Sequence, residues 1–194
     1  MTRLLCLGDS YTIGEGVPTI ESWPALAARR IGADVEIVAA TGWTVAELTE
    51  AVDDVAPAPA DVVTVLVGVN DQYEGAEPTE REGALSALLD RATRLAGGDP
   101  DRVLCLTIPD WSTTPFAADR DRSAISAAVG RWNAAIARLA TERGHRLADP
   151  ARVWQNRPPS VVDDGLHPSP EAYRAWVDEE IGPAIEAIAR RPER

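Results

Sequence analysis

From Asp61 to Val67 the chain reads Asp-Val-Val-Thr-Val-Leu-Val. A run this short, bounded by Pro and Gly and rich in β-branched residues, has the length and chemistry of a strand. It offers almost no polar position to turn toward water, so both of its faces must be covered. That is the condition of an inner strand in a parallel sheet. Four further apolar runs follow the same pattern: Leu4–Leu7, Asp34–Ala40, Arg102–Ile108 and His145–Ala148.

Helical signals lie between these runs. Trp23–Ile31 carries Ser22 at its start and Gly32 just past its end. Thr44-Val-Ala-Glu47 reads as a capping box opening a helix to about Ala56, broken by Pro57-Ala-Pro59. Thr79-Glu-Arg-Glu82 reads as a second capping box, before a stripe of Leu85, Leu88, Leu89, Ala92 and Leu95 that ends at Gly97-Gly98. Ser123–Arg143 presents Ile125, Val129, Trp132, Ile136 and Leu139 at helical spacing, with Gly144 as its stop. Ser169 with Pro170 opens a last helix, which Gly182-Pro183 kinks or splits. Residues 110–122 read as a polar loop with Trp111 and Phe116 exposed, and a second loop holds Trp154 and Pro158-Pro159.

Strand and helix alternate five times. The expected fold is therefore α/β in three layers, with a five-stranded parallel sheet, helices on both faces and right-handed crossovers. No Gly/Ser-rich or Pro-rich linker divides the chain, so residues 1–194 are expected to form one domain.

Composition removes several functions. The net charge of −12 argues against nucleic acid and anionic membranes as partners. All 19 basic residues are Arg. Without Lys there is no Schiff-base nucleophile and no phosphate-loop lysine. Cys6 and Cys105 sit inside strand runs at no metal-ligand spacing and read as small buried hydrophobes. No long apolar stretch follows a basic start, so the expectation is a cytoplasmic protein without a membrane span.

Chemistry-bearing residues fall where strands end. Ser10 follows the first run, Gly42 the second and Asn70 the third, while Asp164 and His167 stand near the carboxyl end. Open α/β sheets place their chemistry at the carboxyl edge of the strands. A serine nucleophile needs a base, and the base needs a partner to fix its tautomer. His167 can supply the base, and Asp164 lies three residues before it, within reach of Nδ1. Asp163 is a rival acid that the residues alone leave open. The amides of Ser10 and Gly42 and the side chain of Asn70 can donate to an oxyanion. Asp9 and Asp71 are expected to brace loops through backbone amides, and His145 to take a surface or capping role.

These marks resemble the SGNH hydrolases, also called the GDSL esterase/lipase family. Gly8-Asp9-Ser10 is similar to the first block, with Tyr11 where Leu is common. Gly42 matches the second block, Gly68-Val69-Asn70-Asp71 the third and Asp164-Gly-Leu-His167 the last, with Pro168 following. The resemblance implies a flavodoxin-like fold, with Ser10 as nucleophile, His167 as base and Asp164 as its orienter. It places Ser10, Gly42 and Asn70 at the oxyanion, and implies no metal and no organic cofactor. Its spacing favours Asp164 over Asp163. Tyr11, at the rim, bears on substrate choice; Trp43 and Trp111 are further candidates to line the acyl or leaving-group pocket.

The expected activity is cleavage of a small-molecule carboxylic ester through an acyl-enzyme. Acyl transfer and carbohydrate O-deacetylation use the same residues. A catalytically silent flavodoxin-like binding domain is the reading from another class, but the chain lacks the G-x-G-x-x-G spacing of a nucleotide binder. With no long apolar insert, neutral esters with acyl chains of about two to six carbons are expected. The negative charge disfavours anionic leaving groups such as coenzyme A, unless arginines such as Arg120 and Arg122 gather locally.

Overall fold

The computed structural model describes residues 1–155 and 160–190; Pro158-Pro159 lie outside the described residues. Five strands form one parallel sheet: β1 (Arg3–Gly8), β2 (Asp34–Ala39), β3 (Val62–Leu66), β4 (Val103–Leu106) and β5 (Arg146–Ala148), in the order β2-β1-β3-β4-β5. This is the doubly wound order of flavodoxin-like folds. Every residue of β3 and β4 is buried, as their unbroken apolar runs require, whereas the edge strands β2 and β5 are partly exposed.

Helices are introduced here in chain order. A single turn, α1 (Ser10–Ile13), follows β1 and leads to α2 (Trp23–Ile31). After β2 comes α3 (Val45–Val55), and β3 is followed by α4 (Val69–Tyr73) and α5 (Pro78–Leu95). The long α6 (Arg122–Arg143) joins β4 to β5, and α7 (Pro150–Gln155), α8 (Pro170–Trp176) and α9 (Gly182–Ala189) complete the chain. α3, α5 and α6 pack side by side in one layer, and α2 packs with α8 and α9 in another. The sheet lies between them, with Trp23, Trp132 and Trp176 among the largest fully buried side chains. No helix among the described residues is long and apolar enough to cross a membrane.

Local starts and stops depart from the sequence expectations in instructive ways. The Thr44 capping box forms, with the Glu47 carboxylate accepting the Thr44 N–H at 2.8 Å. The second box forms two residues early. Glu77 is the cap, its N–H donates to Glu80 at 2.8 Å, and Thr79 lies inside the helix. Pro78 decides this, because a proline at the first helical position needs no donor and has its φ already set.

Residues 110–122 are not an open loop. They fold into two 3₁₀ turns, Trp111–Thr113 and Pro115–Ala117, that bury Trp111 and leave Phe116 at the surface. Near Gly182-Pro183, a π-type turn over Val177–Ile181 joins α8 to α9. His145 is buried rather than superficial. Its Nε2 lies 2.7 Å from the Thr93 hydroxyl and its Nδ1 3.7 Å from the Cys105 sulfur, and burial pushes its pKa down to about 4.

Candidate active site

Ser10 stands at the first position of α1, where β1 turns into helix. Asp9 caps that turn: its Oδ1 accepts the Tyr11 N–H at 3.0 Å. The corner is tight, since a Cβ on Gly8 would lie 2.1 Å from Thr12 Oγ1 and 2.6 Å from the Leu66 carbonyl oxygen. Only glycine lets the turn that carries Ser10 sit directly against β3.

The strand ends bring Ser10 to His167 from 157 residues away, with 2.9 Å between Oγ and Nε2. His167 Nδ1 lies 2.6 Å from Asp164 Oδ2. The second oxygen of Asp164 accepts the N–H groups of Leu166 at 2.7 Å and His167 at 3.0 Å, which fixes the carboxylate within its own turn. Partial burial pushes the Asp164 pKa up, but the hydrogen bonds from the His167 ring and these amides outweigh it and hold the group below its ordinary value. A carboxylate at Nδ1 favours the proton there and leaves Nε2 bare, ready to accept from the serine hydroxyl. Asp163 is exposed and takes no part in this line.

Gly165 holds the turn open with φ 72°, and its carbonyl accepts the Phe116 N–H at 2.9 Å. The folded 110–122 segment thus braces the Asp164–His167 turn from outside.

The three oxyanion-donor candidates reach one place. The Ser10 amide belongs to the first turn of a helix, where N–H groups lack intrahelical acceptors. Gly42 sits at φ 86° in a turn closed by the Trp43 N–H to the Ala40 carbonyl at 3.3 Å, and nothing lies within 4 Å of where its Cβ would be. Asn70 is the second residue of α4, and its Nδ2 donates to the Trp43 carbonyl at 2.8 Å. Asp71 braces the same region, accepting the Val45 N–H at 2.9 Å and pairing with Arg81 at 3.2 Å. Burial pushes its carboxyl up.

Ser10, Gly42, Asn70 and His167 line one cavity of about 240 Å³, whose other walls include Val69, Tyr73, Trp111, Phe116 and Leu166. Of the three aromatic candidates, Tyr11 and Trp111 reach this cavity and the Trp43 side chain does not. Tyr11 is buried beneath the site rather than placed at its rim, its ring centroid 5.6 Å from that of His167. Trp111 is held by its indole N–H donating to Gln72 Oε1 at 2.8 Å. Sequence reasoning missed Val69, Tyr73 and Leu166. The signal for Tyr73 was its place three residues after Asn70, on the same short helix.

The chain matches the model of the GDSL-like Lipase/Acylhydrolase family over residues 6–175. A search of curated proteins finds no match. Among solved structures, it is similar to a member of the lipolytic protein G-D-S-L family from Veillonella parvula DSM 2008. The two are 19% identical with a TM-score of 0.76, over 98% of this chain and 100% of the other. TesA is 18% identical with a TM-score of 0.76, over 96% and 99%. The psychrotrophic esterase EstA from Pseudoalteromonas sp. is 15% identical with a TM-score of 0.73, over 98% and 100%. At these identities the structures speak for the fold, and the match along the sequence speaks for the family. The chain belongs to the GDSL-like lipase/acylhydrolase family and is a carboxylic ester hydrolase.

Proposed function

We infer that the protein hydrolyses small carboxylic esters with short acyl chains through an acyl-enzyme on Ser10. The observation that carries this reading is the line from Ser10 Oγ to His167 Nε2 to Asp164, at 2.9 and 2.6 Å, opening into an apolar cavity. Ser10 attacks the acyl carbonyl while His167 Nε2 takes its proton. Asp164 keeps the imidazole in the productive tautomer and stabilises the imidazolium. The tetrahedral oxyanion is met by the amides of Ser10 and Gly42 and by Asn70 Nδ2. His167 then protonates the leaving alcohol, and water activated by the same nitrogen releases the acid.

The small cavity supports the short-chain preference. So does the 110–122 segment, which is spent on compact turns and forms no long apolar cover. The test is kcat/KM across p-nitrophenyl esters from acetate to palmitate. We expect a maximum at about two to six carbons, since a pocket of this size gains nothing from further methylenes. A maximum at ten carbons or longer rejects the short-chain reading.

A further inference from the structure

Tyr73, Trp111 and Phe116 form one aromatic wall of the cavity, with ring centroids 5.8 to 6.3 Å apart. Arg120 lies over all three. Its guanidinium carbon is 4.8 Å from the Phe116 centroid, 5.2 Å from that of Tyr73 and 5.9 Å from that of Trp111. One of its nitrogens donates to the Tyr73 hydroxyl at 3.0 Å.

Elsewhere arginines are matched to acids, as in Arg91 with Asp53, Arg131 with Glu77 and Arg143 with Asp90. Arg120 forms no ion pair with a carboxylate among the described residues. Of its acidic sequence neighbours, Asp121 is engaged as the cap of α6, accepting the Ala124 N–H at 3.0 Å. Arg122 is spent on the carbonyls of Ala117 and Thr114, each at 3.3 Å.

A guanidinium carries five N–H donors in a flat fork suited to an oxyanion, and ring faces leave its edge free. Tyr73 is 51% and Phe116 36% exposed, so the wall runs from the cavity to the surface where Arg120 sits. A cation held there offers an anion a partner in a chain whose net charge of −12 otherwise repels it.

We propose that Arg120 is a specificity-determining residue that selects esters bearing a carboxylate a few carbons from the scissile carbonyl, the intervening chain lying on the three rings. This rests on the ester-hydrolase reading above and reverses what net charge alone suggests.

Two pairs of esters test it, each setting a free carboxylate against its methyl ester. Mono-p-nitrophenyl adipate against its methyl ester places the carboxylate on the acyl side. 4-Acetoxybenzoate against methyl 4-acetoxybenzoate places it on the leaving group. The readout is the anionic-to-neutral ratio of kcat/KM in the wild type, Arg120→Gln and Arg120→Lys, with folding checked by circular dichroism. For one exposed charge-assisted contact, the ratio is expected to fall about three- to fivefold in Arg120→Gln for at least one pair, and less in Arg120→Lys. The pair that responds identifies the side of the substrate.

The Kd values of the adipate pair, measured on uncleaving Ser10→Ala and on Ser10→Ala/Arg120→Gln, repeat the comparison without turnover. Failure of the wild type to cleave any ester removes the hydrolase reading, while this binding arm still judges an acyl-side role for Arg120. A ratio unchanged in both pairs, whether both members keep their rates or lose them equally, overturns the proposal and leaves Arg120 as a brace for the rings.

Discussion

Asn70 carries two donors on one nitrogen, and the fold has committed one of them. The bond to the Trp43 carbonyl holds the amide in place, and the residue lines the cavity that Ser10 enters. In the oxyanion role proposed for it, the other donor acts mainly where charge develops, so its loss belongs in kcat more than in KM. Asn70→Ala is expected to lower kcat by about a hundred- to a thousandfold. An unchanged kcat with a raised KM would reassign Asn70 to substrate binding. Asp9 makes a different prediction. It is fully buried, its Oδ2 has no hydrogen-bond partner among the described residues, and burial pushes its pKa from the ordinary 3.8 up to about 7. A folded pKa above the unfolded one gives stability that is complete below the unfolded value and is lost as pH rises through the folded value. Urea unfolding of wild type and Asp9→Asn between pH 4 and 8 checks this. The difference in stability is expected to move in favour of the variant as pH rises toward 7. A difference independent of pH means that the carboxyl is ionised in the folded protein throughout.

At the scale of elements, the corner between β1 and α1 sets the position of Ser10. A methyl group on Gly8 meets a backbone carbonyl of β3, which cannot rotate away as a side chain can. Gly8→Ala is expected to cost about 1–3 kcal/mol in urea unfolding, the range of overpacked sites, and to lower activity by displacing Ser10. Wild-type stability and turnover would show that the corner has slack. The same corner explains what was legible in the sequence. Strand runs and the residues that end them are local signals, and parallel pairing brings Gly8, Gly42 and Asn70 to one edge with no further information. The 110–122 segment was not legible, because its polar composition hides partners distant in the chain. Gln72 takes the Trp111 indole, and Gly165 takes the Phe116 amide. His145 was misjudged for the same reason, since Thr93 on α5 and Cys105 on β4 bury it. Pro78 was visible, and its power to start α5 ahead of Thr79 is a local rule that a capping-box pattern overrode.

For the molecule as a whole, strand order places the site. In β2-β1-β3-β4-β5, the order in which strands are added reverses between β1 and β3, and helices leave the two strands toward opposite faces. The crevice this leaves at the carboxyl edge receives Ser10 from β1, Gly42 from β2 and Asn70 from β3. The turn carrying Asp164 and His167 then closes over it, braced by the segment after β4. The sequence showed this plan because Ser10, Gly42 and Asn70 each follow an apolar strand run. It did not show the aromatic wall, which arises where α4 meets the turns of the 110–122 segment. The central claim is that Ser10 is the nucleophile of this assembly. Intact-protein mass spectrometry after treatment with a fluorophosphonate, followed by peptide mapping, tests it most directly. We expect one adduct, on Ser10, formed in step with loss of esterase activity and missing from Ser10→Ala. A folded wild type that takes no label, or a Ser10→Ala variant that labels and turns over as the wild type does, would contradict the account.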